Sequence, residues 1–580
     1  MSRRLPLLSP RPHGPQLSAP KLNLLVSLGL LVFYNGAFWT AVLERRSPGS
    51  LGDGLFLAGL VLLLLATLNL FLSAIAVKHL QKPLTVALLT SAALAAFFMD
   101  SYGVLIDYTM FQNAVETDSF EVAGFLGWRL LLYVSLLAVL PSIFVLRTRV
   151  VYRPWIGEIK RQATIALLSA AAIGLVAVPF YRDYLSLFDH AHGLRHRLSP
   201  VNYLYGGAKY LRQSLQRSTG IVRPLGEDAR LGPAAARRRP SLIVLVVGET
   251  ARAREFSLNG YRRETNPQLS REAVLSFGNV TACGTSTAVS VPCIFSSRGH
   301  DSFDCGTARN EEGLLDVLAH AGIRVLWRDN NSGCKGVCDR IDSQDVSKSR
   351  NPEHCNSREC FDEVLLDDLN GYLESADGDV FVVLHQKGSH GPDYYLRYPK
   401  RFERFTPVCA SNDLQHCTVQ EVVNAYDNTI LYTDYFLARV IRFLKERSRD
   451  YDTAMLYISD HGESLGEGHL YLHGLPRFLA PEAQTHVPFV AWLSEEIERT
   501  RALDPKCLDD HLDMPLSHDN LFHSVLGLMD VETRVYDSSL DVFAGSCRRS
   551  MVTAQRRVPG AAPIQPERAA QVGLGDPDTG

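Results

Sequence analysis

The chain has no cysteine before Cys283, and all 11 of its cysteines lie from there onward. Disulfides persist only in oxidising compartments, so the partition assigns the second half of this 580-residue chain to such a compartment and leaves the first half unassigned. Strong charge of one sign is missing too. Lys and Arg number 59 against 62 Asp and Glu, a formal charge of −3, which excludes a nucleic-acid binder. Internal repeats are absent. Charge of either sign disappears over Leu22 to Leu43, Gly54 to Val77, Pro83 to Met99, Leu130 to Leu146 and Gln162 to Tyr181. A bilayer core of ~30 Å needs roughly 20 apolar helical residues, so these runs are expected to be five membrane spans. Buried helices of a soluble core do not account for LFLAGLVLLLLATLNLFLSAIAV without one charge. A cleaved signal peptide is excluded by the length of the first run and by Glu44, Arg45 and Arg46 after it, where a small-residue cleavage site is needed.

Basic residues orient the spans. Arg3, Arg4, Arg11 and Lys21, then Lys78 and Lys82, then Arg147, Arg149, Arg153, Lys160 and Arg161 all fall on one side, which is therefore expected to be cytoplasmic. The loop at 100–121 holds Asp100, Asp107, Glu116, Asp118 and Glu121 and no Lys or Arg, as suits an outside loop. Five crossings place everything after Tyr181 outside, in agreement with the cysteines. The expected organisation is a five-span domain at 1–181, an interfacial helix and linker at 182–240, an outer catalytic domain at 241–552 and a disordered tail at 553–580 that has almost no large apolar residue. The cluster Arg237, Arg238 and Arg239 is suited to touch anionic lipid, but a solvated charge run is the expected reading.

In the outer half SLIVLVV (241–247), IRVLW (323–327), DVFVVL (379–384) and TAMLYIS (453–459) read as buried parallel strands separated by helical patterns. That alternation predicts an α/β domain with a mostly parallel sheet. Polar groups follow each run: Glu249, then Arg328 to Asn331, then His385 to His390, then Asp460 and His461. Ligands bind at the carboxyl ends of such strands. Glu249, Asp460 and His461 have the chemistry of zinc ligands. Taken singly, each also fits a turn or the first turn of a helix. Between these strand ends lies NVTACGTSTAVSVPCIFS, in which Cys283 and Cys293 are spaced to clamp a short loop and Thr285, Ser286 and Thr287 precede a helix. A hydroxyl there is favoured as an anion by a neighbouring dication and by the helix dipole, although plain capping uses the same residues.

These segments carry a resemblance. GET at 248–250, CGTSTAVSVPC at 283–293, WRDNNSGCKG at 327–336, HQKGSHGP at 385–392, FTPVC at 405–409 and SDHGESLGEGHLYLHG at 459–474 resemble the lipid A phosphoethanolamine transferases, including the mobile colistin-resistance enzymes. The resemblance covers nearly the whole chain, spans included. It implies an alkaline phosphatase/sulfatase-like fold beside a multi-pass α-helical domain, in the inner membrane of a Gram-negative cell with the catalytic domain in the periplasm. It implies that Thr287 is the nucleophile and that Zn2+ is held by Glu249, Thr287, Asp460 and His461. His390 and His473 would line the substrate site, on phosphate oxygens or a second zinc, with Lys335 and Asn331 nearby. In DYTMFQNAVETDSFE, Asn113, Thr117 and Glu121 would contact the ethanolamine phosphate. Lys387 departs from the apolar residue common in relatives. Bridges similar to the family's are Cys283 with Cys293, Cys334 with Cys338, Cys355 with Cys360 and Cys409 with Cys417. Cys305, Cys507 and Cys547 are left, with Cys507 to Cys547 an open pairing.

The implied reaction passes phosphoethanolamine from phosphatidylethanolamine through Thr287 to a phosphate of lipid A, which lowers surface negative charge and weakens binding of cationic peptides such as polymyxins. Other acceptors, such as a core sugar of lipopolysaccharide, and a membrane-tethered phosphatase or sulfatase with water as acceptor are the competing readings. A monomer is the expected state.

Overall fold

The computed structural model describes residues 15–116, 122, 124–190, 193–217, 222–233, 235–544 and 547. Thr117 and Glu121, expected to contact substrate, and the tail at 553–580 lie outside them.

The uncharged runs form helices. α3 (Leu51–Ala74), α4 (Gln81–Tyr102), α6 (Trp128–Arg147) and α7 (Trp155–His190) are each long and apolar enough to cross a membrane. The first run differs from expectation. It is not one straight span but α1 (Ala19–Phe33) and α2 (Gly36–Arg45), bent by 60°. The cause sits at the break, where the Asn35 amide donates to the Leu30 carbonyl at 2.8 Å and the Ser199 carbonyl at 3.1 Å and accepts the Ser199 N–H at 2.8 Å. A side chain that bonds local backbone in this way competes with the helical ladder. Among the described residues, four helices are thus long and apolar enough to cross, or five if the bent pair counts as one span. Only 11% of the apolar stretch of α6, and likewise of α7, is buried within the protein, so lipid must cover the rest. α5 (Tyr108–Glu116) links α4 towards α6 and packs on α8 (Val201–Arg217), which exposes Leu204, Tyr205, Leu211 and Leu215.

The outer half is built on one eight-stranded sheet. Its strands are β1 (Ser241–Gly248), β2 (Val274–Thr281), β3 (Arg324–Asp329), β4 (Asp342–Asp345), β5 (Val380–His385), β6 (Asp452–Ser459), β7 (His486–Leu493) and β8 (Leu516–Ser517). They lie in the order β8-β2-β7-β6-β1-β5-β3-β4. β7 alone among these eight runs against its neighbours β2 and β6.

Every residue of β1 is buried, because both faces of the sheet are covered. Ile243, Leu245 and Val247 join a core with Val525 and Leu526 of α11 (Asp519–Met529) and Val291 of α9 (Thr287–Ile294), while Leu242, Val244 and Val246 join one with Ile430, Leu437 and Val440 of α10 (Val419–Lys445). The two-residue strand period makes that division. α10 starts at a capping box in which Thr418 accepts from Glu421 N–H and Glu421 accepts from Thr418 N–H. Phe97, Tyr102 and Val104 of the membrane half also enter the second core, so the halves share apolar packing. β1, β3, β5 and β6 are mutually parallel and end at one edge.

Candidate active site

Four elements deliver their side chains to that edge. Glu249 follows β1, Asp460 and His461 follow β6, Asn331 follows β3, and Thr287 is the first residue of α9 after the N-cap Ser286. The Cys283–Cys293 disulfide, with Cα atoms 6.3 Å apart, closes the loop before α9 onto the helix. Gly284 N–H donates to Ser290 Oγ at 3.1 Å and fixes the same turn. Within it the hydroxyls divide. Thr285 donates to the Leu475 carbonyl at 2.5 Å, whereas Thr287 Oγ1 donates to Glu249 Oε2 at 3.0 Å and lies 3.5 Å from His461 Nε2. The chain thus brings Thr287 to the cluster and turns Thr285 towards the segment that carries His473.

Glu249, Asp460 and His461 are fully buried and present ligand atoms that all lie within 4.8 Å of one another. His461 Nε2 is 3.4 Å from Glu249 Oε1 and 3.3 Å from Asp460 Oδ2. Nδ1 of that ring sits 2.9 Å from the Gly462 carbonyl, which can only accept, so Nδ1 carries the proton and Nε2 turns a lone pair to the carboxylates. Asp460 Oδ1 accepts the N–H groups of Thr250 at 3.1 Å and His461 at 2.7 Å, while Oδ2 is buried and accepts no hydrogen bond. Burial pushes the Asp460 carboxyl up to about 7; burial and then the charge of His473 push His461 down to about 4. Converging buried oxygens and an imidazole lone pair, two of them ionised only at a cost, fit a divalent cation of the zinc type.

Backbone strain holds the Glu249 turn. Thr250 adopts φ +54°, a left-handed conformation unfavourable for a β-branched residue, and is anchored by its N–H on Asp460 and its carbonyl on Tyr426 Oη at 2.6 Å. Gly388 also has positive φ, and a Cβ there would meet the Glu249 carbonyl at 2.7 Å, so glycine is required.

Around the cluster, Asn331 Nδ2 donates to Glu249 Oε2 at 2.7 Å and to the Gln386 carbonyl at 2.9 Å. Behind it His385 Nδ1 bonds Asp329 Oδ2 at 2.8 Å. Burial opposes charge on both, yet each holds the other ionised: Asp329 is held down to about 2 and the His385 pKa is raised. The His473 ring centroid lies 4.3 Å from that of His461 and 5.4 Å from that of His390. Burial lowers both His473, to about 4, and His390. His473 Nδ1 is 3.1 Å from Glu463, whose carboxyl burial raises to about 8. Lys335 bonds the carbonyl and hydroxyl of Ser332, each at 2.8 Å. Lys387 is buried, with its N–H on Asp362 at 2.8 Å.

The membrane half reaches the site through α5. Gln112 donates to the Ala288 carbonyl of α9 at 3.2 Å, and Asn113 lines a cavity of about 270 Å3 with Leu94, Phe98, Met110, His390 and His473. Apolar side chains of the spans thus lead to two site histidines.

Sequence reading missed Glu463, Gln112 and His518. Glu463 stood within a quoted motif, and Gln112 within the loop segment. His518 accepts Cys283 N–H at 3.1 Å and donates to the Ser459 carbonyl at 3.0 Å, so it ties the clamped loop to β6. Nothing local marks it; only the sheet order brings β8 beside β2. The four expected disulfides are present, and Cys507 pairs with Cys547.

Residues 241–531 match the sulfatase family model, and residues 64–215 match the model described as phosphoethanolamine transferase EptA/EptB. The phosphoethanolamine transferase EptA of Escherichia coli strain K12 is 40% identical over 544 residues, covering 92% of this chain and 98% of that protein. The phosphatidylethanolamine transferase Mcr-1 of Escherichia coli is 39% identical over 464 residues, 78% of this chain and 84% of that protein. Among solved structures, the integral membrane lipooligosaccharide phosphoethanolamine transferase A of Neisseria meningitidis superposes with a TM-score of 0.89 at 35% identity, covering 92% of this chain and all of that one.

Proposed function

This chain belongs to the phosphoethanolamine transferases, and from that premise we propose that it moves phosphoethanolamine from phosphatidylethanolamine to a phosphate of lipid A at the periplasmic face of a Gram-negative inner membrane. The observation that carries the reading is a hydroxyl at a helix N-terminus, 3.0 Å from Glu249, beside a cavity lined by both membrane-span residues and site histidines. Lipid substrates need that junction of apolar and ionic surfaces.

Glu249, Asp460, His461 and Thr287 would hold the zinc ion, which when bound supplies charge neutralisation for the phosphate and acidifies the hydroxyl. Thr287 Oγ1 forms the bond to phosphorus and gives up its proton towards Glu249 Oε2. The bond from phosphorus to the glycerol oxygen breaks, and His473, in its pair with Glu463, delivers a proton so that diacylglycerol leaves. A lipid A phosphate oxygen then attacks the same phosphorus and passes its proton to His473, while the bond from phosphorus to Thr287 Oγ1 breaks and Glu249 returns the proton to Thr287. Asn331 keeps Glu249 aimed, and Asn113, with Thr117 and Glu121 of the same loop, meets the headgroup. His390, with Lys335, is suited to the phosphate oxygens. The added primary amine reduces negative charge at the cell surface and favours resistance to polymyxin.

Mass spectrometry tests this in two arms. Lipid A from cells making the chain gains phosphoethanolamine, and a peptide containing Thr287 carries it after brief exposure to donor. Release of free phosphate in place of transfer would favour the hydrolase reading, and modification confined to core sugar would move the acceptor.

A further inference from the structure

Arg328 lies next to the end of β3, on the strand face opposite Trp327 and Asp329. It is only 4% exposed, and among the described residues its guanidinium makes no hydrogen bond or ion pair. A buried cation without a partner costs several kcal/mol, so such a group is expected to serve something. It lines a cavity of about 500 Å3 with Asp345, Lys348, Asn351, Asp367 and Asp368.

Most of those charges are already matched. Lys348 pairs with Asp345 at 2.7 Å, and Asp367 accepts from His354 at 2.8 Å and from Asn351 at 2.6 Å. What remains is the Arg328 cation and the exposed Asp368 carboxylate, which among the described residues also has no side-chain partner. Burial weakens the grip of Arg328 on its proton, and Asp367 and Asp368 offset this only through space. A simple anion would meet Arg328 but be repelled by the two aspartates. A simple cation would face the reverse. A molecule with both charges suits both ends.

We propose that this cavity binds a small zwitterion, with phosphate or carboxylate oxygens on Arg328 and a primary ammonium on Asp368. Free phosphoethanolamine and the headgroup of an ethanolamine phospholipid share this chemistry. The inference rests on the charges of the cavity and stands apart from the transfer reaction.

The test uses detergent-purified full-length protein and equilibrium binding of O-phosphoethanolamine, glycerophosphoethanolamine, inorganic phosphate and ethanolamine. Because the reaction centre is expected to take the first as well, the readout is the number of sites. Arg328→Met keeps an unbranched apolar stem in place of the arginine stem and removes an unpaired buried charge, so the variant folds, with thermal stability unchanged or raised. It is expected to lose one class of O-phosphoethanolamine site and to transfer at a rate within about twofold of the parent. Asp368 adopts φ +54°, which Asn tolerates, so Asp368→Asn folds and weakens that class by about tenfold. Inorganic phosphate and ethanolamine each bind about tenfold or more weakly than the zwitterion at this class. Binding of the diester as well as the monoester assigns a lipid headgroup; binding of the monoester alone assigns the free molecule. Retention of every site in a folded Arg328→Met protein, or inorganic phosphate binding as tightly as O-phosphoethanolamine, overturns the proposal. Loss of one site by Arg328→Met in a chain that transfers nothing would overturn only the transfer reading.

Discussion

The membrane half and the outer half of this protein handle burial in opposite ways. α6 and α7 each leave all but 11% of their apolar stretch for lipid to cover, whereas all of β1 is buried against protein on both faces. In the first half, composition alone carries the physics, because any sufficiently apolar face is served by acyl chains. In the second, position carries it, because Glu249, Thr287 and Asp460 do nothing until sheet order brings them together. The halves nevertheless meet, in the shared core of Phe97 and Tyr102 with outer residues and in the Arg129–Asp413 ion pair at 3.1 Å. The difference is therefore one of chemistry rather than of separate location.

If the chemistry belongs to the outer half, the sharpest way to break the contrast is Thr287→Ala. Transfer is expected to fall by roughly a thousandfold or more, while unfolding stability changes by about 1 kcal/mol, since one hydroxyl and little packing are lost. Thr285→Ala is expected to cost less, because that hydroxyl bonds Leu475 instead of the cluster. Equal losses from the two would place the nucleophile elsewhere. Metal removal comes next. Strong chelation is expected to cut transfer by about a hundredfold or more, with recovery on adding zinc, and to lower the melting temperature of the outer half alone. Full activity in protein shown to be metal-free would exclude the cluster as a metal centre.

How far these features were legible follows the same divide. The spans could be read from runs without charge, and the break at Asn35 could not, since it depends on Ser199, more than a hundred residues away. The four parallel strands were visible as apolar runs ending in polar groups. β7 and β2 were not singled out, and β4, Asp342–Asp345, has no apolar residue to reveal it. In the site, Glu249, Asp460 and His461 stood out as polar groups just after strands, and Thr287 was singled out by the resemblance; the structure brings these four together. His385 and His518 act by holding other groups, and the partners that give them meaning, Asp329, Cys283 and Ser459, come from distant segments.

Reduction separates the halves by stability. The Cys507–Cys547 bridge closes a loop of 40 residues, and the loop-entropy relation gives it roughly 4 kcal/mol. Replacing both cysteines with serine is expected to destabilise the outer half by up to that amount and leave the membrane helices, which have no thiol, unchanged by circular dichroism. Melting of the helices together with the sheet would show that the two halves unfold as one unit.

Acid gives a smaller, graded version. Burial pushes His518 from the ordinary 6.5 down to about 4, so the unfolded chain binds this proton more readily than the folded one. Its contribution is complete above about pH 6.5 and is lost as the pH falls towards 4, to a total of about 3 kcal/mol. His518→Asn is expected to flatten that part of the stability curve of the outer half, and an unchanged curve would assign the acid sensitivity to other groups.

The smallest effect probes where the contrast is weakest, at the contact of α5 with α9, the helix that starts at Thr287. Gln112 is buried, and its amide donates to the Ala288 carbonyl at 3.2 Å, one residue beyond Thr287. Loss of a neutral hydrogen bond of this kind costs about 1 kcal/mol, which corresponds to a few-fold in rate if the bond sets the position of Thr287 relative to the donor. Gln112→Ala is therefore expected to slow transfer from phosphatidylethanolamine in bilayers by about fivefold, with metal content unchanged. Gln112→Glu retains the length but cannot donate while ionised, and it should be no better than alanine. The full chain should cleave a small soluble phosphodiester at a rate that neither substitution changes, and the isolated outer half, which lacks α5 altogether, should cleave it as well. A full chain in which Gln112→Ala slows soluble and bilayer substrates equally would show that α5 serves the nucleophile itself and not its alignment with a lipid, and the membrane half would then be part of the catalytic domain in every respect except composition.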